Sequence, residues 1–238
     1  MNRYLKKALR KNSYSLQSYI RLTSDEFVDS LRREGVKLGK NVNFRYPEHT
    51  LIDMTRPSHI EMGDNLDIND NFTVLTHDFG TFVFRNLYHD FVNSSGKVKI
   101  GSNIYFGRDV TILKGVTIGD NCIIGLGSVV SRDIPSNSVA VGYPAKVVCS
   151  IEEYYKKRKS LCVEEAFEYA NSIRDRFYRE PDITDFSEEW NLFLTKEEYE
   201  NNPMVRQMVN FRMKGWTKEF LERERIFKGF DIFVIKSR

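Results

Sequence analysis

Residues 98–133 read VKIGSN IYFGRD VTILKG VTIGDN CIIGLG SVVSRD, a six-residue beat sustained without a gap. Its third position is held by Ile100, Phe106, Ile112, Ile118, Ile124 and Val130, and its first by Val98, Ile104, Val110, Val116, Cys122 and Ser128. The residue after the third position is Gly101, Gly107, Gly119 and Gly125, with Leu113 and Ser131 as the exceptions. A chain that sets an apolar residue at a fixed phase of every six turns a corner at that period and points side chains inward from each side. That is the repeat of a parallel β-helix, and it is distinct from a sandwich of ordinary short strands. β-Branched residues suit the short flat sides, and Gly or Asn just outside them suits corners with left-handed backbone angles. Three sides make one coil of about eighteen residues.

The phase runs upstream. Leu38, Phe44, Met62, Ile68 and Val74 keep the inward lane, with Val36, Val42, Ile60, Leu66 and Phe72 in the companion lane. It breaks between Val74 and Ile100, so an excursion from the repeat is expected at about residues 78–97. A weaker irregularity spans Glu48 to Ser58, where Pro47 and Pro57 bracket LIDMTR and the lane fails at Thr50 and Arg56. Before the repeat, residues 1–34 have helical spacing (Tyr4, Leu5, Leu9, then Phe27 and Leu31), and Ser24-Asp25-Glu26 resembles a helix start. After residue 148, Gly vanishes until Gly215 and apolar residues fall at helical intervals, as at Tyr155, Leu161, Ala166, Tyr169 and Ile173. The organisation expected is a helical segment at 1–34, the repeat domain at 35–148 and a helical extension at 149–238. Pro181 and Pro203 divide that extension into three helical pieces.

The chain has 238 residues and a formal net charge of +3, too small to argue for nucleic acid. Cys122, Cys149 and Cys162 lack metal or disulfide spacing, so no zinc or disulfide framework is expected, and Cys122 reads as a small core residue. No apolar run reaches bilayer length or makes a signal peptide, which points to a cytoplasmic protein without a membrane span. Basic clusters at Arg3, Lys6, Lys7, Arg10 and Lys11 and at Lys156 to Lys159 read as solvated helix faces.

The block GVTIGDNCIIGLGSVVSRDIPSNSVAVGYPAKVV, from Gly115 to Val148, resembles the hexapeptide acyltransferases, in the branch of maltose and galactoside O-acetyltransferases and the acyltransferases of surface-polysaccharide gene clusters. The resemblance covers residues 36–148, and its most specific parts are THD (Thr76-His77-Asp78) and GYPAK (Gly142 to Lys146). It implies a left-handed parallel β-helix, an acetyl-CoA donor, no metal, and a homotrimer whose active sites lie between subunits. It implies His77 as the general base, a role for which a neutral imidazole suits a sugar hydroxyl. His49 and His59 read as structural, and His89 as a lid residue.

Asn69 and Asn71, one side before His77, and Asp78 beside it are candidates for holding the acceptor. Asn is also this chain's corner residue, at Asn41, Asn65, Asn103 and Asn121, and the partner that orients His77 is left open between a backbone carbonyl and a neighbour's side chain. For the donor, the resemblance points to Tyr105 and Gly107, to Arg108 and Leu126 stacked in line with Pro144, and to Ser131, Arg132 and Lys146. Tyr105 stands where the family has Trp, and Arg108 and Leu126 are larger than the usual residues there.

The apolar residues of the excursion (Phe79, Phe82, Phe84, Leu87, Tyr88, Phe91) suit packing on a neighbouring subunit. The expected activity is O-acetylation of a carbohydrate, a surface polysaccharide or its precursor. N-acetylation of an amino-sugar nucleotide is the alternative enzyme, and a non-catalytic scaffold the alternative of another class. A carbonic-anhydrase-like reading lacks the His ligands it needs. In the extension, Trp190, Trp216 and many Phe and Tyr suit either a separate core or stacking surfaces for a sugar that select the acceptor.

Overall fold

The computed structural model describes residues 22–238. The helical spacing at Tyr4, Leu5 and Leu9 and the first basic cluster lie outside them. The chain separates into two compact units, the second being Tyr155–Arg238.

Within the first unit the opening helix α1 is Ser24–Glu34. It starts at Ser24, as Ser24-Asp25-Glu26 suggested, and Thr23 is the N-cap, sharing a reciprocal capping box with Glu26. Gly35 ends it at φ 104°, and Val28 and Leu31 form its buried face. Phe27 stands edge-on to Phe44, with ring centres 5.0 Å apart, so α1 covers the first coil.

Short strands follow, and the chain deals them in turn to three parallel sheets. The first holds β1 (Lys37–Leu38), β4 (Ile60–Met62), β9 (Val98–Ile100) and β12 (Thr117–Ile118). The second holds β2 (Val42–Phe44), β5 (Leu66–Ile68), β10 (Ile104–Phe106), β13 (Cys122–Ile124) and β15 (Ser138–Val141), closed by antiparallel β16 (Lys146–Ser150). The third holds β3 (Leu51–Ile52), β6 (Thr73–Val74), β11 (Thr111–Ile112) and β14 (Val129–Val130). Each strand pairs with the strand one coil away, and both lanes face in: Ile68, Phe72, Val74, Phe106, Ile112 and Ile124 are fully buried. Phe44, Phe72 and Phe106 stack up the interior, with centroids 6.5 and 4.9 Å apart. Burial also pushes the inward Cys122 thiol pKa up, which leaves it a core residue and no nucleophile.

Two expectations about the repeat need correction. The coil length is not constant. Stacked Asn pairs are separated by 24 residues in the first coil (Asn41, Asn65), by 18 in a regular one (Asn103, Asn121) and by 16 in the last (Asn121, Asn137). The first coil takes six extra residues into the LIDMTR irregularity, where 3₁₀ turns occupy Pro47–His49 and Pro57–His59. The second expectation concerns glycine. Left-handed angles fall at the sixth position of the repeat, on Asn41, Asn65, Asn71, Asn103, Asp109 and Asn121, and on Asn137 stacked on Asn121, with φ between 54 and 61°. They fall also on Gly115 and Gly127, at 80° and 68°, and not on the glycines that follow the third position. Gly101, Gly107 and Gly119 are needed for lack of a side chain, because a Cβ there would meet the backbone or side chain of the next coil at 2.4, 2.6 and 2.3 Å.

The excursion is a small outwork: β7 (His77–Asp78) pairs antiparallel with β8 (Ser94–Ser95), and helix α2 (Thr81–Tyr88) lies between them. Phe79, Phe82, Phe84, Leu87, Tyr88 and Phe91 on it are each 37–71% exposed.

The second unit has its own core, built on Phe186, Trp190, Phe193, Val205, Val209 and Phe233 together with Ala166, Ala170 and Ile173 of α3 (Ile151–Phe177). Three helical pieces do not describe it. After α3 come α4 (Trp190–Phe193), α5 (Lys196–Asn201), α6 (Pro203–Met213), α7 (Thr217–Glu222) and α8 (Phe230–Lys236). Stops besides the two prolines divide it: Thr195 and Glu198 form a capping box, Asn202 caps α6 with Pro203 at its first position, and Gly215 and Gly229 turn at φ 99° and 115°. Trp190 is buried and offers no surface to a ligand. No helix among the described residues is long and apolar enough to cross a membrane.

Candidate functional site

Ile52 of β3 lies beside Val74 of β6, and the register carries on past both strands, which sets Asp53 and Thr55 against Thr76 and His77. The Asp53 carboxylate is buried, and five donors from the protein converge on it. The Thr76 amide and hydroxyl donate to Oδ2 at 3.0 and 2.5 Å, and the Thr55 amide and hydroxyl donate to Oδ1 at 3.0 and 2.6 Å. His77 Nδ1 is 2.5 Å from Asp53 Oδ2. An ionised carboxylate can only accept, so Nδ1 carries the proton and donates, and Nε2 keeps its lone pair. Burial alone would raise the Asp53 pKa, but the bonds from Thr55, Thr76 and His77 outweigh it and hold the carboxyl well below the usual range. The imidazole itself is about a third exposed. A buried anion thus fixes the ring and its tautomer, while the other nitrogen has no hydrogen bond to the described residues.

Asp53 was the residue missed from sequence. The only trace of it was the failure of the lane in LIDMTR, which marks extra residues in the coil but not what they do.

Asp78 points away from this pair. Its carboxylate takes the Lys114 ammonium, the Gly80 amide at 2.9 Å and the Ser94 hydroxyl at 3.0 Å. Led by Lys114, these contacts bring its pKa down to about 2 and tie both ends of the excursion to the neighbouring coil.

The register sorts the other candidates into two groups. Val74, Ile112 and Val130 are stacked partners, so Ser131 and Arg132 continue the edge that carries His77. Both are exposed. Asn69, Asn71, Tyr105, Gly107, Arg108, Leu126 and Lys146 belong to the opposite end of that sheet, at the corner with the second sheet. There Asn69 Nδ2 donates to the Tyr105 hydroxyl at 3.4 Å, and the Arg45 guanidinium lies 5.9 Å over the Tyr105 ring. Asn71 is a corner residue, with φ 56° and its amide on Asp109. The chain beyond Gly142 turns back toward the third sheet, with the Ala145 amide on the Val129 carbonyl at 2.9 Å, whereas His77 follows the opposite end of β6 from Asn69 and Asn71.

The line of Arg108, Leu126 and Pro144 does not form as expected. Arg108 and Leu126 are stacked, and the Gly127 amide reaches the Arg108 carbonyl at 2.9 Å. The last coil is two residues short, however, so Ile124 pairs with Ala140 and the place above Leu126 falls to Gly142. The Arg108 side chain is occupied as well: it donates to the buried Asp70 carboxylate at 2.7 Å, whose other oxygen is 2.7 Å from His49 Nδ1. His49 is therefore an exposed hydrogen-bond partner of Asp70, while His59 has a buried Nδ1 without a partner.

Gly107 has no room for a side chain, since a Cβ would stand 2.6 Å from the Leu126 amide nitrogen. Gly107→Ala is expected to cost about 1–3 kcal/mol by forcing the coils apart. Chemical denaturation measures this, and an unchanged midpoint would mean that the stack yields at this corner.

Residues 97–132 match the family described as bacterial transferase hexapeptide (six repeats). Protein CapG of Staphylococcus aureus is 36% identical over 129 residues, covering 54% of this chain and 74% of CapG. Two proteins of Staphylococcus aureus strains Mu50 and N315, provisionally named acetyltransferases, are each 51% identical over 69 residues. That match spans 28% of this chain and only 35% of their length. Among solved structures, a maltose O-acetyltransferase from Clostridium difficile 630 is 27% identical, with 61% of this chain and 87% of that chain covered at a TM-score of 0.42. From the six-residue repeat, its stacked parallel strands and the length of CapG that it matches, the chain belongs to the bacterial hexapeptide-repeat transferases.

Proposed function

We propose that this protein is a left-handed β-helix enzyme that moves an acetyl group from acetyl-CoA to a hydroxyl of a carbohydrate, in the cytoplasm, where the donor is made. The observation that carries the reading is His77, with Nδ1 held by buried Asp53 and Nε2 free. In the reaction, Nε2 takes the proton of the acceptor hydroxyl as its oxygen attacks the thioester carbonyl. The tetrahedral intermediate then releases the thiolate, and the imidazolium returns the proton to sulfur. Asp53 stabilises the imidazolium that forms between the two steps, as a carboxylate does for a catalytic histidine elsewhere.

The separation of the candidates onto two edges of one sheet supports a homotrimer. A site that uses His77 together with the corner of Tyr105, Gly107 and Lys146 needs the edge of one copy beside the corner of another. The exposed apolar side chains of the excursion, next to His77, are a surface such a neighbour would cover.

The test is acetyl transfer from acetyl-CoA to a panel of mono-, oligo- and polysaccharides, amino sugars included. Absence of transfer and of donor hydrolysis across the panel would sink the reading. Lys146 is exposed at the start of β16 and suits the phosphates of the donor nucleotide. Lys146→Glu is expected to raise KM for acetyl-CoA by roughly tenfold, the scale of one lost charged hydrogen bond. KM for acetyl-pantetheine, which lacks the nucleotide, should stay unchanged. Equal changes for both donors would place Lys146 outside the nucleotide site.

A further inference from the structure

Helix α7 and the turn before it contribute to the lining of two grooves in the second unit. One is walled by Met213, Trp216 and Phe220. The other, of about 440 Å³, is lined by Tyr199, Asn210 and Thr217, with Lys196, Lys218 and Glu222 at its rim. That volume falls in the range of small-ligand sites, ~300–1,000 Å³.

The second groove is organised around one amide. The Tyr199 and Thr217 hydroxyls both donate to Asn210 Oδ1, at 2.8 and 3.0 Å. This leaves the two amide hydrogens of Asn210 as donors, and the lone pairs of Tyr199 and Thr217 as acceptors, toward the groove. Donors and acceptors held a few ångströms apart are what a pair of neighbouring sugar hydroxyls requires.

Trp216 precedes Thr217 directly. The turn that presents it is fixed by two left-handed residues, Lys214 at φ 41° and Gly215 at φ 99°. Trp216 is 66% exposed, while Trp190, the other tryptophan, is 4% exposed. A large aromatic face left open beside a polar fork has one apolar surface and one hydrogen-bonding surface to offer, which matches a sugar ring with its C–H face and hydroxyl edge. The charges at the polar groove cancel, Lys196 and Lys218 against Glu200 and Glu222, so nothing there selects a polyanion.

We infer that the α6–α7 corner is a binding site for a neutral oligosaccharide, with one sugar stacked on Trp216 and the next held by Asn210, Tyr199 and Thr217. This deepens the carbohydrate reading above, on which it rests for the class of ligand, and gives the helical extension a role of its own.

The test uses the full chain without acetyl-CoA, so that binding is read apart from transfer. Maltohexaose, cellohexaose and chitohexaose are the neutral probes, a hyaluronan hexasaccharide is the acidic one, and saturation-transfer NMR is the readout. At least one neutral probe is expected to give a signal and to shield Trp216 from iodide quenching, with the acidic probe weaker. Trp216→Ala and Asn210→Ala are each expected to weaken binding by roughly tenfold, as loss of an anchoring contact does. Circular dichroism melts confirm that the variants fold, and Tyr199→Phe, which keeps the packing, is expected to give a smaller loss. No signal from any neutral probe, or a signal undiminished in folded Trp216→Ala, overturns the site. Saccharide binding without acetyl transfer would leave the site standing and remove the enzymatic reading. Transfer without binding at this corner would do the reverse.

Discussion

His77→Ala is expected to lower kcat for acetyl transfer by ~10²- to ~10⁴-fold, the loss that follows removal of a positioned general base. KM for acetyl-CoA should change little, because the imidazole acts on the proton of the acceptor and is not among the residues proposed to hold the donor. The fold should survive. His77 is partly exposed, and Asp53 keeps its four bonds from Thr55 and Thr76 after the ring is gone. Steady-state kinetics beside a circular dichroism melt separates the two effects. Near wild-type turnover in a folded variant would remove His77 from the chemistry.

Asp53→Asn is expected to cost nearly as much in rate, ~10²- to ~10⁴-fold, by a different route. Asparagine presents an NH₂ as well as an oxygen, so the side chain no longer demands a proton on Nδ1, and the tautomer with the proton on Nε2 becomes available. That tautomer cannot take a proton from the acceptor. The loss should fall on kcat, with KM for both substrates nearly unchanged, which a general loosening of the coil would not produce.

The same substitution sets an NH₂ among the Thr55 and Thr76 donors and should cost about 1–3 kcal/mol of stability. The pH dependence has a definite sign. The folded Asp53 pKa is depressed below the ordinary value of 3.8, so the stability it contributes is present above that value and is lost as the pH falls below it. Melting of the wild type should therefore drop more steeply below about pH 4 than melting of the variant. Parallel curves would mean that Asp53 is not held ionised in the folded state.

Much of the repeat domain could be read without coordinates. The two lanes from Val98 to Val130 are a one-dimensional pattern, and each inward residue is named by its phase alone. The same holds for the break between Val74 and Ile100, since a lost phase is visible in the chain itself. His77 stands at that break, at the end of a regular coil, and its candidacy as base came from the resemblance carried by Thr76-His77-Asp78. The corner asparagines were also legible as a set, which is why Asn71 proves to be one of them.

Asp53 was not legible, because its contact with His77 depends on how many residues the first coil takes. Only the pairing of Ile52 with Val74 sets Asp53 and Thr55 against Thr76 and His77. Coil length likewise moved Pro144 out of line with Leu126, since a last coil of sixteen residues shifts every later stacked pair by two. Helical spacing told that the tail was helical, but a helix hides which of its aromatics meet. Trp190 and Trp216 look alike in sequence, and packing alone buries the first and leaves the second in the open. The sequence by itself determined the repeat, its inward faces and the break at which His77 stands, because these follow from local periodicity. The tertiary structure decided the partner of the base, the two edges on which the candidates lie and the exposed corner of the tail, because each depends on contacts between residues far apart in the chain.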